Sequence, residues 1–149
     1  MILKRITVEQ AKELLDDELM GRISEKGTGE SNPDYTYLGI YVEGVPIGFW
    51  VVHYTSNSTV QIHINIKKEH RAHGVDAGWY FLEYIFTKHP KIMRVECEVP
   101  HCYQDVIKFI QKFKFKSEGV KRQAVYRDGA LQDVQMLSLL RSEYNELCC

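Results

Sequence analysis

Between Val60 and Ile66, polar side chains alternate with branched apolar ones, and a basic turn follows at once. Strand periodicity puts Gln61, His63 and Asn65 on one face and Val60, Ile62, Ile64 and Ile66 on the other. Of the three polar residues, only His63 has an unperturbed pKa near neutral pH, and three polar side chains in a row suggest a solvent-filled cleft. The turn Arg71-Ala72-His73-Gly74-Val75-Asp76-Ala77 supplies an arginine and a glycine just ahead of a helix. A guanidinium and the free N–H groups of a helix N-terminus suit a phosphate. Lys67, Lys68, His70 and His73 add cations. Asp76 opposes them, because a carboxylate in a first helical turn repels an anion and can cap the same amides. The simpler alternatives are a solvated basic turn capped by Asp76 and a strand whose second face is merely exposed.

Other constellations offer less. Cys97, His101 and Cys102 match no common zinc spacing, so no metal is expected. Cys102 lacks the His–Asp pattern of a thiol nucleophile. The rings of Trp79, Tyr80, Phe81, Tyr84 and Phe86 go around a helix and read as core and contact surface. The formal net charge of −1 argues against a general nucleic-acid surface. No apolar run is long enough to span a bilayer, and MILKRITVEQ is not a secretory signal. A cytoplasmic chain with reduced thiols at Cys97, Cys102, Cys148 and Cys149 is the expectation.

These residues need a scaffold. At 149 residues and 44% hydrophobic composition, one domain over 1–149 is expected. Ile2–Ile6 reads as a strand. Thr7 and Gln10 form a capping box for a helix ending near Gly21. Residues 24–34, rich in Gly, Ser, Glu and Pro, read as a mobile loop. Tyr35–Val42 and Val45–Tyr54 make a hairpin about Glu43-Gly44. Val60–Ile66 is the next strand, followed by a helix from Asp76 to about His89. A strand over Ile92–Val99 and an amphipathic helix over Gln104–Phe113 come next. A second hairpin joins Gly119–Arg127 to Val134–Leu139 about Asp128-Gly129, and 145–149 is a frayed tail. The fold class is α+β, a mixed and mostly antiparallel sheet with helices on both faces.

The order of elements and the turn Arg71-x-x-Gly74-x-Asp76-Ala77 resemble the GNAT family of acyl-CoA N-acyltransferases, whose motif there is Gln/Arg-x-x-Gly-x-Gly/Ala. Phe113-Lys114-Phe115-Lys116-Ser117-Glu118-Gly119 is similar to that family's Leu-Gly-Phe-Lys-x-Glu-Gly segment. Val120–Ala124, Asp128–Val134 and Met136–Tyr144 are similar to the branch that acetylates protein N-termini and small amines. The resemblance spans 35–144. It implies acetyl-CoA as co-substrate in a V-shaped gap between the fourth and fifth strands. Backbone groups of Ile64, Asn65 and Ile66 would pair with its pantetheine arm. Arg71, Ala72, His73, Gly74, Val75, Asp76 and Ala77 would hold its pyrophosphate, and an amine would attack the thioester directly.

The chain departs from the family where chemistry is done. Asp76 stands in place of Gly or Ala, and Lys114 in place of glycine. Ile110 occupies the position of a tyrosine that protonates the thiolate, and Tyr103 that of an asparagine. Gln61 falls where the branch has a glutamate base, and glutamine accepts no proton near neutral pH. His63 is left as base, with Tyr103 or Tyr126 as acid. The chain also resembles diverged GNAT-like proteins of tailed phages. The second expectation is therefore an inactive domain used for binding or head assembly, with a homodimer or an assembly partner.

Overall fold

A computed structural model describes residues 1–15 and 35–148. β1 (Ile2–Ile6) runs into α1 (Val8–Glu13). Thr7 Oγ1 accepts from the Gln10 N–H at 3.1 Å, and Gln10 Oε1 accepts from the Thr7 N–H at 2.9 Å. That reciprocal cap is the one the Thr7-x-x-Gln10 spacing predicts. α1 ends at Glu13, and the rest of the helix expected to run to near Gly21 lies outside the described residues from 16 on. The Leu14 N–H bonds the Ala11 carbonyl at 3.0 Å, an i→i−3 closure that tightens and stops the turn. The loop expected over 24–34 lies outside the described residues.

β2 (Tyr35–Val42), β3 (Val45–Tyr54) and β4 (Thr59–Ile66) follow as an antiparallel meander. A 3₁₀ helix (Lys68–His73) then leads into α2 (Gly74–Lys88). β5 (Arg94–Pro100), α3 (Gln104–Gln111), β6 (Lys116–Arg127), β7 (Ala130–Leu140) and α4 (Arg141–Leu147) complete the chain. The sheet has the order β1-β2-β3-β4-β5-β7-β6, and only β4 and β5 are parallel. The fold is thus α+β, with a mixed, mostly antiparallel sheet.

Alternating residues of β3 face two different cores. Trp50 and Val52 join Phe81, Ile85, Ile107 and Ile110, which puts α2 and α3 on one face. Phe49 and Val51 join Ala11, Leu14 and Tyr37, which puts α1 on the other. Two glycines allow the close approaches. A Cβ at Gly48 would lie 2.1 Å from the Asn65 carbonyl oxygen, so β3 can press on the end of β4. A Cβ at Gly78 would lie 2.1 Å from Phe113 Cζ, so α2 and the end of α3 meet without a spacer.

The tail differs from expectation. Where fraying was expected from 145, α4 continues to Leu147. Arg141 explains its hold. Its guanidinium donates to the carbonyls of Ile92 (2.7 Å), Phe86 (2.9 Å) and His89 (3.0 Å). Tyr144 stacks on Phe86 with ring centroids 4.8 Å apart.

Candidate active site

β4 and β5 pair over only three positions: Thr59 with Arg94, Val60 with Val95 and Gln61 with Glu96. Beyond them each strand keeps its other partner. β4 stays on β3 as far as Ile66, and β5 stays on β7 as far as Pro100. The two strands therefore part, as a V-shaped gap requires. The ladder also fixes which backbone groups face it. The Lys67 N–H donates to the Ile47 carbonyl at 2.9 Å, and at the other end the Thr55 N–H donates to the Thr59 carbonyl at 3.0 Å. Antiparallel alternation between these ends turns the backbone of Asn65 and His63 to β3, and that of Ile62, Ile64 and Ile66 to the gap. Of the three residues expected to offer backbone groups to a ligand, Ile64 and Ile66 face the gap and Asn65 does not.

On the α2/α3 side the gap opens into a cleft of about 230 Å³ lined by Ile64, Ile66, Arg71, Gly74, Asp105, Val106 and Phe109. Arg71 comes from the turn and Asp105 from the first turn of α3, so opposite charges sit on opposite walls.

The segment Arg71–Asp76 is not an open loop. Arg71, Ala72 and His73 close the 3₁₀ helix, and Gly74, Val75, Asp76 and Ala77 form the first turn of α2. The His70 N–H bonds the Lys67 carbonyl at 2.9 Å, and the Gly74 N–H bonds the Arg71 carbonyl. Of the amides at the start of α2, that of Gly74 thus has a partner in the preceding turn. Gly74 is right-handed helical, with φ −59° and ψ −45°, and needs no glycine for its backbone. Packing is close there instead: a Cβ would lie 3.2 Å from Phe109 Cε2, near enough that the ring would have to shift by a few tenths of an ångström. Ala77 is buried in the core, whereas Val75 and Asp76 are exposed at the end of the helix.

The other face of β4 carries the polar side chains. His63 is exposed, Gln61 half-buried and Asn65 buried at 7% exposure. Although its ring reaches solvent, His63 stands on a crowded sheet face whose neighbours remove part of its hydration and lower its pKa below the ordinary 6.5; Glu98 raises it and His53 lowers it further. Glu98 lies across the gap on β5, and the Glu96–Gln61 pairing puts it on the same face as His63. The residue list read from sequence omitted it. The alternation Arg94-Val95-Glu96-Cys97-Glu98-Val99, with every second residue buried, is the signal that would have flagged it. Glu98 Oε1 accepts from Lys121 Nζ at 2.6 Å, and Glu96 Oε2 from Arg94 Nη2 at 2.8 Å.

The tyrosines are elsewhere. Tyr103 is buried in the α2/α3 core just ahead of α3, on the opposite side of the sheet from His63. Tyr126 donates its hydroxyl to the Gly129 carbonyl at 2.9 Å in the second hairpin turn. Ile110 is 5% exposed and packs in the core. Cys97, His101 and Cys102 form no metal-ligand cluster among the described residues. Nor is any described helix long and apolar enough to cross a membrane.

No protein-family model matches the sequence, and no curated protein matches it. Solved structures do match the fold. A spermidine N-acetyltransferase from Vibrio cholerae, determined in complex with CoA and spermine, superposes with a TM-score of 0.81 at 15% identity, covering 97% of each chain. A GCN5-related N-acetyltransferase from Brucella melitensis gives 0.76 at 17% identity, covering 97% of this chain and 77% of its own. The chain therefore has the fold of the GCN5-related N-acetyltransferases.

Proposed function

We propose that the protein binds acetyl-CoA in the gap between β4 and β5 and transfers the acetyl group to an amine. The parting of the strands after Gln61 and Glu96 carries this reading. It leaves the backbone edge of Ile62, Ile64 and Ile66 for an added strand-like ligand, with a cleft on one side and His63 on the other. The known complex of the Vibrio cholerae spermidine acetyltransferase with CoA supports the choice of co-substrate.

The chemistry follows from that placement. The pantetheine arm pairs with the gap-facing backbone of Ile64 and Ile66. The pyrophosphate lies by Arg71 and the start of α2, among the cations Lys67, Lys68, His70 and His73. The amine nitrogen attacks the thioester carbonyl carbon, a C–N bond forms, and the C–S bond breaks as CoA thiolate leaves. His63, kept neutral by its lowered pKa, takes the proton that the nitrogen sheds. Glu98 steadies the imidazolium so formed. Gln61 orients by hydrogen bonding and moves no proton. With Ile110 at the usual tyrosine position and Tyr103 behind the sheet, the thiolate is protonated from solvent or from His63.

A second reading is a domain of this fold that no longer catalyses and serves binding or assembly. The closed turn favours it: the 3₁₀ helix occupies the Gly74 amide, Phe109 leaves little space beside Gly74, and Asp76 adds negative charge. Calorimetry with acetyl-CoA at low salt, followed by turnover on an amine panel, separates the two. The transferase reading expects a dissociation constant in the micromolar range and CoA release with at least one amine. Silence at millimolar acetyl-CoA sinks it, and binding without turnover leaves the second reading. Asp76→Gly removes a like charge from the phosphate end, and affinity rises by several-fold at low salt and by less at high salt.

A further inference from the structure

We infer that the protein acetylates itself at Lys121, whose amine the second hairpin lays on the sheet face that carries His63. This rests on the acyl-transfer reading and adds a modification site to it. Val95, Cys97 and Val99 point into the α2/α3 core, so Glu96 and Glu98 share the opposite face with Gln61 and His63. Gln61–Glu96 is the last pair of the β4–β5 ladder. Glu98 is the next β5 side chain on that face, where the strands part. Lys121 belongs to β6, on the far side of β7. Its own row is Lys121–Val134–Pro100, whereas that of Glu98 is Gly119–Met136–Glu98. The side chain therefore crosses β7 and leans back along it, and Nζ donates to Glu98 Oε1 at 2.6 Å. A bulge fixes the strand just beyond. Residues 122–124 stand opposite Asp133 alone, Gln123 has φ 49°, and its N–H donates to Asp133 Oδ1 at 2.9 Å. Bulges re-aim neighbouring side chains in this way.

Glu98 does two things to the amine. It holds Nζ beside the gap, and its bond and charge keep Nζ an ammonium, raising its pKa above the ordinary 10.5. The side chain is half exposed, so it is free to swing from Glu98 towards the thioester. With acetyl-CoA in the gap, Nζ gives one proton to His63 and attacks the carbonyl carbon. A C–N bond forms, the C–S bond breaks, and the second proton that the nitrogen sheds goes to the CoA thiolate. The amide is neutral, so the ion pair is lost. Glu98, then unmatched, raises the pKa of His63 more than before, and the modification feeds back on the base. Uncatalysed acetylation disfavours an ammonium held by a carboxylate, so fast reaction at Lys121 reports the site and not exposure.

The test incubates the native protein with acetyl-CoA and follows each lysine by peptide mass spectrometry, with propylamine turnover measured alongside. Lys121 is expected to gain an acetyl group on the order of tenfold faster than exposed Lys91, at a rate per molecule independent of protein concentration. His63→Gln is expected to slow Lys121 to the rate of Lys91 and to leave Lys91 unchanged. Lys121→Gln copies the charge of the acetylated side chain, and it is expected to move the rising limb of propylamine kcat/KM to higher pH. Lys121 no faster than Lys91 in the native protein, with propylamine acetylated, overturns the inference alone, whether or not either variant folds. A rate that grows with protein concentration also overturns it, since the amine then comes from another copy. So does a limb that stays put in Lys121→Gln. Failure to acetylate Lys121 and propylamine alike is a different result, and it removes the acyl-transfer reading together with the inference.

Discussion

His63 sits under opposing influences, and their balance sets the pH at which it can act. Desolvation and His53 push its pKa down, Glu98 pushes it up, and the net direction is below 6.5. A neutral base therefore predicts a kcat/KM whose rising limb has its midpoint below pH 6.5, well under the titration of a typical amine. Glu98→Gln removes the raising influence, so the rising limb moves to still lower pH. His63→Gln abolishes the limb and lowers the rate by about 10²–10⁴. Rate profiles of the three proteins check this, and a limb that stays put in Glu98→Gln rules out the pairing. Stability has a linked sign. Between the lowered pKa and 6.5 the unfolded chain binds more protons at this site, so this contribution to stability shrinks as pH falls through that window.

At the scale of elements, one side chain ties the end of the chain to the end of a helix. Arg141 spreads its guanidinium over the carbonyls of Phe86, His89 and Ile92 and lies 5.0 Å above the Phe86 ring centroid. It satisfies the Phe86 carbonyl in the last turn of α2, where a cation is also favoured by the helix dipole, and two carbonyls in the chain just beyond. Arg141→Ala is expected to cost about 2–3 kcal/mol, and Arg141→Lys to recover less than half because an ammonium lacks the planar fork. Urea melts measure both, and a loss under about 0.5 kcal/mol for the alanine variant rejects the clamp. This contact also explains what sequence could and could not disclose. The strands were legible because their signals are local: alternation in Val60–Ile66, and turns at Glu43-Gly44 and Asp128-Gly129 whose four residues all have positive φ. α4 was not legible, because Arg141 reaches partners far away in sequence. The 3₁₀ closure of Arg71–His73 rests on local bonds, His70 to Lys67 and Gly74 to Arg71, but a polar run with one glycine carries no periodicity that distinguishes a 3₁₀ turn from an open loop. His63 could be picked from its strand face, whereas the influence of Glu98 on it exists only once β4 and β5 lie side by side.

At the scale of the molecule, the question is what yields when a ligand enters. α2 and α3 are locked together where Gly78 meets Phe113, and both share one core with the sheet. β4 and β5 are each held by an outer neighbour. Among the described residues, the 3₁₀ turn Lys68–His73 is the element at the cleft with no buried residue. Its cleft of about 230 Å³ is below the roughly 300–1,000 Å³ usual for small-ligand pockets. Opening the turn would widen the cleft and free the Gly74 amide together. If acetyl-CoA requires that opening, part of its binding energy goes into it and the apparent affinity falls by the open fraction. Ala72 offers a clean probe, being exposed and part of the turn. Ala72→Gly removes no buried contact but weakens helical backbone by about 1 kcal/mol. If the bound form is open, acetyl-CoA affinity rises by up to about fivefold while the melting temperature falls slightly. If the 3₁₀ turn is itself the binding form, the same substitution lowers affinity. Calorimetry on the two proteins in one buffer reads the sign, and a drop in affinity excludes the opening.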